Sequence, residues 1–376
     1  MMRKTSLVVC FSVSLLSLCS CSKTDEWKGK IEYVNDIQVV INPDKGLWEA
    51  STNGKNIIFK EEVAIGALEG DKNQLFYQPT SVIADQDENI YILDSGNYRI
   101  QKFDKNGHYL LTIGRKGQGP GEILRSFTIK LDSHKNLIVF DIDNNRISKF
   151  TAQGNFTDSF NLKFTPQAGV LDSEDNIYIY SRYKGKLIHK FNPQGQHLFS
   201  FMDEIKSENK RIEPHINGSG SIGITQDDEV FLVLTFPYTI YFYDSQGKPL
   251  KKIVTKAHHA IAPYITPPSS PLPNAVINSF FITGVDVSPQ GYIFCRCVAY
   301  ETPEDLDSVE KIRELGTSLF REYTYIDLFD AKGRYLIHQK TENFSWGGYF
   351  DNKGYYYGIE EKEDYFRAAK YAIKIK

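Results

Sequence analysis

Residues 79–114 read PTSVIADQDENIYILDSGNYRIQKFDKNGHYLLTIG. Four short apolar or alternating runs stand out: Thr80–Ala84, Ile90–Leu93, Arg99–Asp104 and Tyr109–Ile113. Between them lie Asp85-Gln86-Asp87-Glu88-Asn89, Asp94-Ser95-Gly96-Asn97 and Lys105-Asn106-Gly107. Clusters of Asp, Asn and Gly between such runs supply the backbone conformations that tight hairpins demand. The stretch therefore reads as a four-stranded antiparallel meander.

The unit recurs along the chain. Copies start at Phe127 (FTIKLDSHKNLIVFDIDNNRISKF), Gln167 (QAGVLDSEDNIYIYSRY) and Gly220 (GSIGITQDDEVFLVL). A fifth starts at Val285 and resumes at Tyr323, and a sixth starts at Trp346 and ends after three strands. Gly107, Gly154, Gly195, Gly247 and Gly333 hold one place in the unit, each after an aromatic residue (Phe103, Phe150, Phe191, Tyr243, Phe329). A four-stranded unit of roughly 40 to 50 residues is a propeller blade. The expected fold is all-β, a six-bladed β-propeller over residues 31–376. The last blade lacks its outer strand, while Ile37–Ile41 and Ile57–Ile65 are strand-like runs with no blade of their own. An N-terminal strand closing the last blade would remove the open sheet edge. Two insertions interrupt the repeat. Residues 258–278 are Pro-rich, and residues 302–322 place Leu306, Val309, Ile312, Leu315 and Leu319 at helical spacing.

Composition agrees. The 376 residues include 23 Tyr and 24 Phe, with 41% hydrophobic and 24% charged residues. Aromatic and β-branched residues suit half-buried pleated surfaces. A net charge of −3 offers no basic face for a phosphate backbone, so nucleic acid is not an expected partner.

The first residues, MMRKTSLVVCFSVSLLSLCSC, set Arg3 and Lys4 before an apolar run from Leu7 to Leu18. That run is shorter than the roughly 20 residues a permanent span needs, and it fits a signal-peptide core. Leu18-Cys19-Ser20-Cys21 resembles a bacterial lipobox, which implies lipidation at Cys21 after removal of residues 1–20. Residues 21–30 then read as a tether. Anchoring would come from the acyl chains, since two hold stably where one does not. The expected address is the outer membrane, facing either the periplasm or the cell surface. Of the five cysteines only Cys295 and Cys297 remain in the folded part. Two residues apart in a strand, they face one layer, and they read as buried structural thiols.

Asp94-Ser95-Gly96-Asn97-Tyr98-Arg99-Ile100-Gln101-Lys102-Phe103 and Asp141-Ile142-Asp143-Asn144-Asn145-Arg146-Ile147-Ser148-Lys149-Phe150 resemble the core of NHL repeats. Gly114-Arg115-Lys116-Gly117-Gln118-Gly119-Pro120-Gly121-Glu122 resembles the glycine-rich blade link of six-bladed lipoproteins of Bacteroidota. The resemblance is strong in the first two blades. It fades in the third to fifth, where Ser181-Arg182-Tyr183 and Thr235-Phe236-Pro237 stand at the matching positions. It implies a binding propeller, since NHL-like propellers mainly bind proteins, peptides, glycans or RNA. A few such propellers are lyases or hydrolases with a metal on the central axis.

The glycine-rich link lacks the Lys-Ser/Thr and following helix of a phosphate-binding P-loop. Asp94…Arg99 and Asp141…Arg146 share one spacing. One reading places Asn97, Tyr98, Arg99, Asn145 and Arg146 on the loop face as ligand contacts, with Arg182 and Tyr183 at the corresponding place in the third blade. The other makes each Asp–Arg pair an ion pair between neighbouring blades. His215 precedes a link into an inner strand, within reach of the channel mouth, and Tyr264 lies in the Pro-rich insertion near Phe280 and Phe281, where aromatic rings suit a sugar face. His108, His197 and His338 fall just past turn glycines and read as solvated. No HxH or HExxH spacing and no nucleophile elbow occurs. The expectation is a monomeric, membrane-anchored binding module for a glycan, peptide or partner protein, with no cofactor. The alternative is an enzyme, a lyase or hydrolase whose axial metal is gathered from distant blades.

Overall fold

The structure is a computed structural model and describes residues 26–49, 54–256, 264–265, 276–277, 280–301, 321–341 and 344–376. Cys21, the leader and nearly all of both insertions lie outside the described residues. Tyr264 is described only as backbone, in a two-residue strand paired with Val276–Ile277.

Six four-stranded antiparallel meanders stand around one axis. Their inner strands are Pro79–Ala84, Ser126–Leu131, Ala168–Leu171, Gly220–Ile224, Phe280–Val287 and Phe344–Phe350. Each inner strand packs against the next, and the sixth returns to the first, which makes a closed ring. The outer strand of the sixth blade is Ile57–Ile65, paired antiparallel with Phe366–Ile375. The N-terminal closure expected from the sequence is present, and Ile57–Ile65 performs it.

Burial follows from this geometry. Six apolar clusters fill the six clefts between neighbouring blades, as where Ile83, Tyr91 and Leu93 of the first blade meet Ile129, Leu137 and Val139 of the second. A strand inside a blade is thus covered on both faces, which is why IYILD, LIVFD and VFLVL are continuous apolar runs instead of alternating ones. Each large side chain so buried contributes about 1.5–3 kcal/mol.

The turns repeat one chemistry. In the first blade the Asp85 carboxylate accepts the backbone N–H groups of Asp87 and Asn89, both at 2.9 Å. Tyr91 donates its hydroxyl to the same carboxylate at 3.1 Å, as Tyr178 does to Asp172 at 3.1 Å and Tyr357 to Asp351 at 3.2 Å. The turn glycines read from the sequence have positive φ, for example +87° at Gly107 and +82° at Gly333, where a Cβ would also strike Ile253 of the preceding blade.

The other early strand goes elsewhere. Lys30–Val34 and Ile37–Asn42 form a hairpin through Asn35-Asp36, with φ of +51° and +63° as a two-residue primed turn requires. Ile37–Asn42 then adds in parallel to Pro249–Thr255, the outer strand of the fourth blade. Next, Leu47 and Trp48 donate their N–H groups to the carbonyls of Tyr335 (3.0 Å) and Leu336 (2.8 Å) in the fifth blade. The N-terminal segment therefore runs along the rim of blades four, five and six before closing the ring. Asn42 fixes it: its Oδ1 accepts from Trp27 Nε1 (3.0 Å) and Tyr335 N (2.8 Å), and its Nδ2 donates to Gly333 O (2.9 Å).

The fifth blade starts at Phe280, earlier than the Val285 expected, because the irregularity between Ile282 and Gly284 breaks the alternation. Phe280 is consequently core, at 1% exposure. Cys295 and Cys297 are free and buried, and burial pushes both thiols well above their ordinary pKa. His338, expected in solvent, is half-buried instead. Its Nδ1 lies 2.6 Å from Asp327 Oδ1, and its ring stacks on Tyr325 at 4.2 Å.

Candidate functional site: the axial chamber

The inner strands enclose a cavity of about 600 Å³ on the face that carries the blade links. Every blade contributes to its wall: Thr80, Thr128, Gln167, Ser221, Thr283 and Gly348 are one representative from each. A second cavity of about 290 Å³ opens toward the opposite face, and Lys130, Val285 and Asp286 line both. These residues mark the waist of an axial channel.

The wall is held by bonds between blades. Thr80 Oγ1 donates to Ser126 O at 3.1 Å, and Ile282 N donates to Thr235 Oγ1 at 3.1 Å. A Cβ on Gly347 would meet the Thr80 carbonyl at 2.7 Å, so glycine permits the sixth blade to close on the first.

Among the described residues, the titratable groups of the chamber wall are Arg125, Lys130, Asp286 and Arg296. Arg125 sits at the mouth, paired with Asp143 at 2.9 Å and lying over the exposed Phe127 ring. Arg296 belongs to the second strand of the fifth blade, one layer behind the wall. It reaches the chamber because its cross-strand partner is Gly284. A Cβ at Gly284 would fall 1.7 Å from Arg296 Nη2, and one at Gly348 would fall 1.7 Å from Nη1. Two glycines on adjacent blades thus leave the space the guanidinium occupies. Its Nη1 donates to Asp286 Oδ2 and, at 3.0 Å, to Tyr356 Oη. Burial works against the charge on Arg296, but Asp286 and Tyr356 more than offset this and hold its pKa above the ordinary value. Lys130, enclosed by protein yet open to the channel, has its pKa lowered by burial, with Asp286 opposing and Arg296 reinforcing the shift.

Apart from Tyr264, whose side chain lies outside the described residues, the residues singled out in the sequence lie at blade hairpins and links around the chamber, and none of them lines it. Arg99 donates Nε to Asp94 Oδ2 at 2.8 Å and Nη2 to the carbonyls of Lys72 and Leu75, both at 3.0 Å. Arg146 forks onto the glycine-rich link, to Gln118 O (2.8 Å), Gly119 O (3.2 Å) and Glu122 O (2.5 Å), with Asp141 3.4 Å from its Nε. Each arginine therefore ties the segment entering a blade to that blade's own hairpin. Burial raises the pKa of Asp94 and Asp141, opposed chiefly by Asn97 and Asn144 respectively. Asn97 Nδ2 donates to Asp94 at 2.8 Å, and Tyr98 lies under Lys116 at 4.6 Å. Asn145 accepts from Thr165 Oγ1 at 2.8 Å. Arg182 reaches Glu204 at 3.3 Å, and Tyr183 packs on Phe164, 5.0 Å between centroids, beside a small rim cavity. His215 lies on the short helix Glu213–Gly218, just before the residues that reach the chamber wall. Asp132, His134 and Asp175 cluster at metal-ligand distance, but on the turns of the opposite face. There Lys149 Nζ already sits 2.6 Å from Asp132, and Ser133 donates to Asp175 at 2.7 Å.

Arg296, Asp286 and Lys130 went unnoticed in the sequence. The one available signal was Arg296 between Cys295 and Cys297, since alternation places it on the face opposite two core residues.

Residues 54–262 match the model of the DUF5128 family, a 6-bladed beta-propeller. The chain belongs to this family. No curated protein matches the sequence. Among solved structures, a member of the DUF4221 family from Bacteroides vulgatus ATCC 8482 superposes with a TM-score of 0.58 at 13% identity, covering 85% of this chain and 98% of that one. A Bacteroides fragilis NCTC 9343 protein whose name calls it exported gives 0.56 at 14% identity, covering 86% and 95%. At such identities the DUF5128 chain shares a fold with these proteins, and function must come from the site. Among the described residues no helix is long and apolar enough to cross a membrane.

Proposed function

We propose that this DUF5128 propeller is a binding module of the cell envelope that takes its ligand, a glycan or peptide, into the axial chamber. The observation that carries the reading is the chamber itself. It is a preformed cavity of about 600 Å³, walled by all six blades and held by bonds between them, with hydroxyls, an amide and cations presented inward. Rigid concave sites of this size with a few convergent polar groups are the usual seats of small ligands. A metal-dependent lyase or hydrolase would need several carboxylates or imidazoles on the axis, whereas among the described residues the titratable wall groups are three cations and one carboxylate. The lipobox at Cys21 supports an acyl anchor that would hold the ring at the membrane surface.

A glycan and peptide array probed with the mature protein tests the reading. Hits should be lost in Ser221→Trp, which projects a bulky ring into the chamber, and kept in an exposed rim variant such as Lys184→Ala. Hits that survive Ser221→Trp would place the binding surface elsewhere.

A further inference from the structure

We infer that the waist of the channel is an oxyanion seat, and that its occupant is the carboxylate of an acidic saccharide. The inference rests on the chamber being the ligand site and names what that site selects.

Three observations lead there. The first is charge. Lys130 and Arg296 stand at or beside the junction of the two cavities, and among the described residues Asp286 is the single carboxylate of the chamber wall, while Asp351 of the second cavity caps its own turn, so the waist carries one unit of positive charge that no described side chain of the chamber wall neutralises. A monoanion balances it, while a dianion would leave an excess of negative charge in an enclosed space.

The second is unmet hydrogen bonding. Arg296 is 4% exposed, and only its Nη1 is engaged. Its Nε is buried without an acceptor, and Nη2 has no protein acceptor among the described residues. Lys130 Nζ likewise has no protein hydrogen-bond partner among the described residues. Buried donors are normally paired, and those that are not call for an explanation. A seated oxyanion provides one for Arg296 Nη2 and Lys130 Nζ, because guanidinium–carboxylate bonds are among the strong charge-assisted ones. The lowered pKa of Lys130 agrees, since an anion beside it would restore the charged form.

The third is the mouth. Thr128, Gln167 and Ser221 ring the chamber with small hydroxyl and amide groups, and Phe127 offers a ring face at 42% exposure. Multiple hydroxyl-matching groups beside an aromatic face suit a sugar body, with the carboxylate pointing inward.

Isothermal titration at low ionic strength with D-galacturonate, D-galactose and N-acetylalanine tests the proposal. Galacturonate is expected to bind at least tenfold more tightly than galactose. Lys130→Met should remove that advantage and Lys130→Arg should restore most of it, both read as the ratio of galacturonate to galactose affinity within each variant. Melting curves check that both variants fold. Equal affinities for the two sugars, or an advantage that survives Lys130→Met, would overturn the oxyanion seat. N-acetylalanine binding as tightly as galacturonate would overturn the saccharide assignment. Galactose binding that is lost in Ser221→Trp, without any gain for the acid, would sink this inference and leave the chamber reading standing. Binding of none of the three probes, together with an empty array, would sink both.

Discussion

Ile57 and Ile375, from opposite ends of the described chain, are cross-strand partners in one antiparallel sheet. This pairing closes the ring and covers an edge that would otherwise expose a row of unpaired N–H and C=O groups. A chain that starts at residue 67 should therefore lose cooperative unfolding and aggregate, as read by urea denaturation and size exclusion. The milder Ile65→Ala, at a site only 2% exposed, should cost about 2–4 kcal/mol. A truncated chain with wild-type cooperativity would refute the closure.

Asn42 makes three bonds that hold the rim segment to the fifth blade and to Trp27. Asn42→Ala leaves Tyr335 N without its acceptor, so a loss of about 1–3 kcal/mol is expected. Hydrogen exchange should rise first in residues 26–49, ahead of the blades. Uniform exchange across the molecule would show that the segment is not a separable strap.

Asp141 is fully buried beside Arg146, which grips the glycine-rich link. Removing one member of such a pair leaves the other charge uncompensated. Asp141→Ala should cost about 3–5 kcal/mol in urea unfolding. The exposed pair Lys135–Asp87 provides the contrast, since Lys135→Ala should leave the urea midpoint essentially unchanged.

His189 reports on pH. Burial holds its pKa down at about 4, and its Nε2 faces the Ser181 carbonyl at 3.1 Å while Nδ1 faces Ser200 Oγ at 2.8 Å. A carbonyl only accepts, so Nε2 carries the proton and the neutral ring is fully bonded. As pH falls, the unfolded chain takes up the proton first, near 6.5. The contribution of the neutral ring is thus complete above that value and is lost progressively toward pH 4, by roughly 3 kcal/mol at most. His189→Gln should flatten the stability profile between pH 4.5 and 7, measured by urea midpoints. An unchanged slope would show that another group titrates.

Much of the fold could be read from the sequence because each blade repeats its turn chemistry. Asp85, Asp172 and Asp351 cap equivalent turns, and Gly107 and Gly333 occupy equivalent positive-φ positions. The blade count and the closing strand follow from that local pattern. The destination of Ile37–Asn42 does not, since its partner Pro249–Thr255 is distant in sequence and nothing local selects it. The fifth blade was displaced by an irregular register at Ile282 and Gly284. The chamber was hidden for a similar reason. Arg296 becomes a wall residue only because Gly284 and Gly348, on two different blades, leave room for it. Repeats reveal what every blade shares, whereas a site on the axis is built from what each blade does differently.

A crystal structure of the protein soaked with D-galacturonate tests the account most directly. It should show the sugar in the axial chamber, with carboxylate oxygens within hydrogen-bond distance of Lys130 Nζ and Arg296 Nη2. Density confined to the outer loops around Arg99 and Arg146, with the chamber holding only solvent, would contradict it.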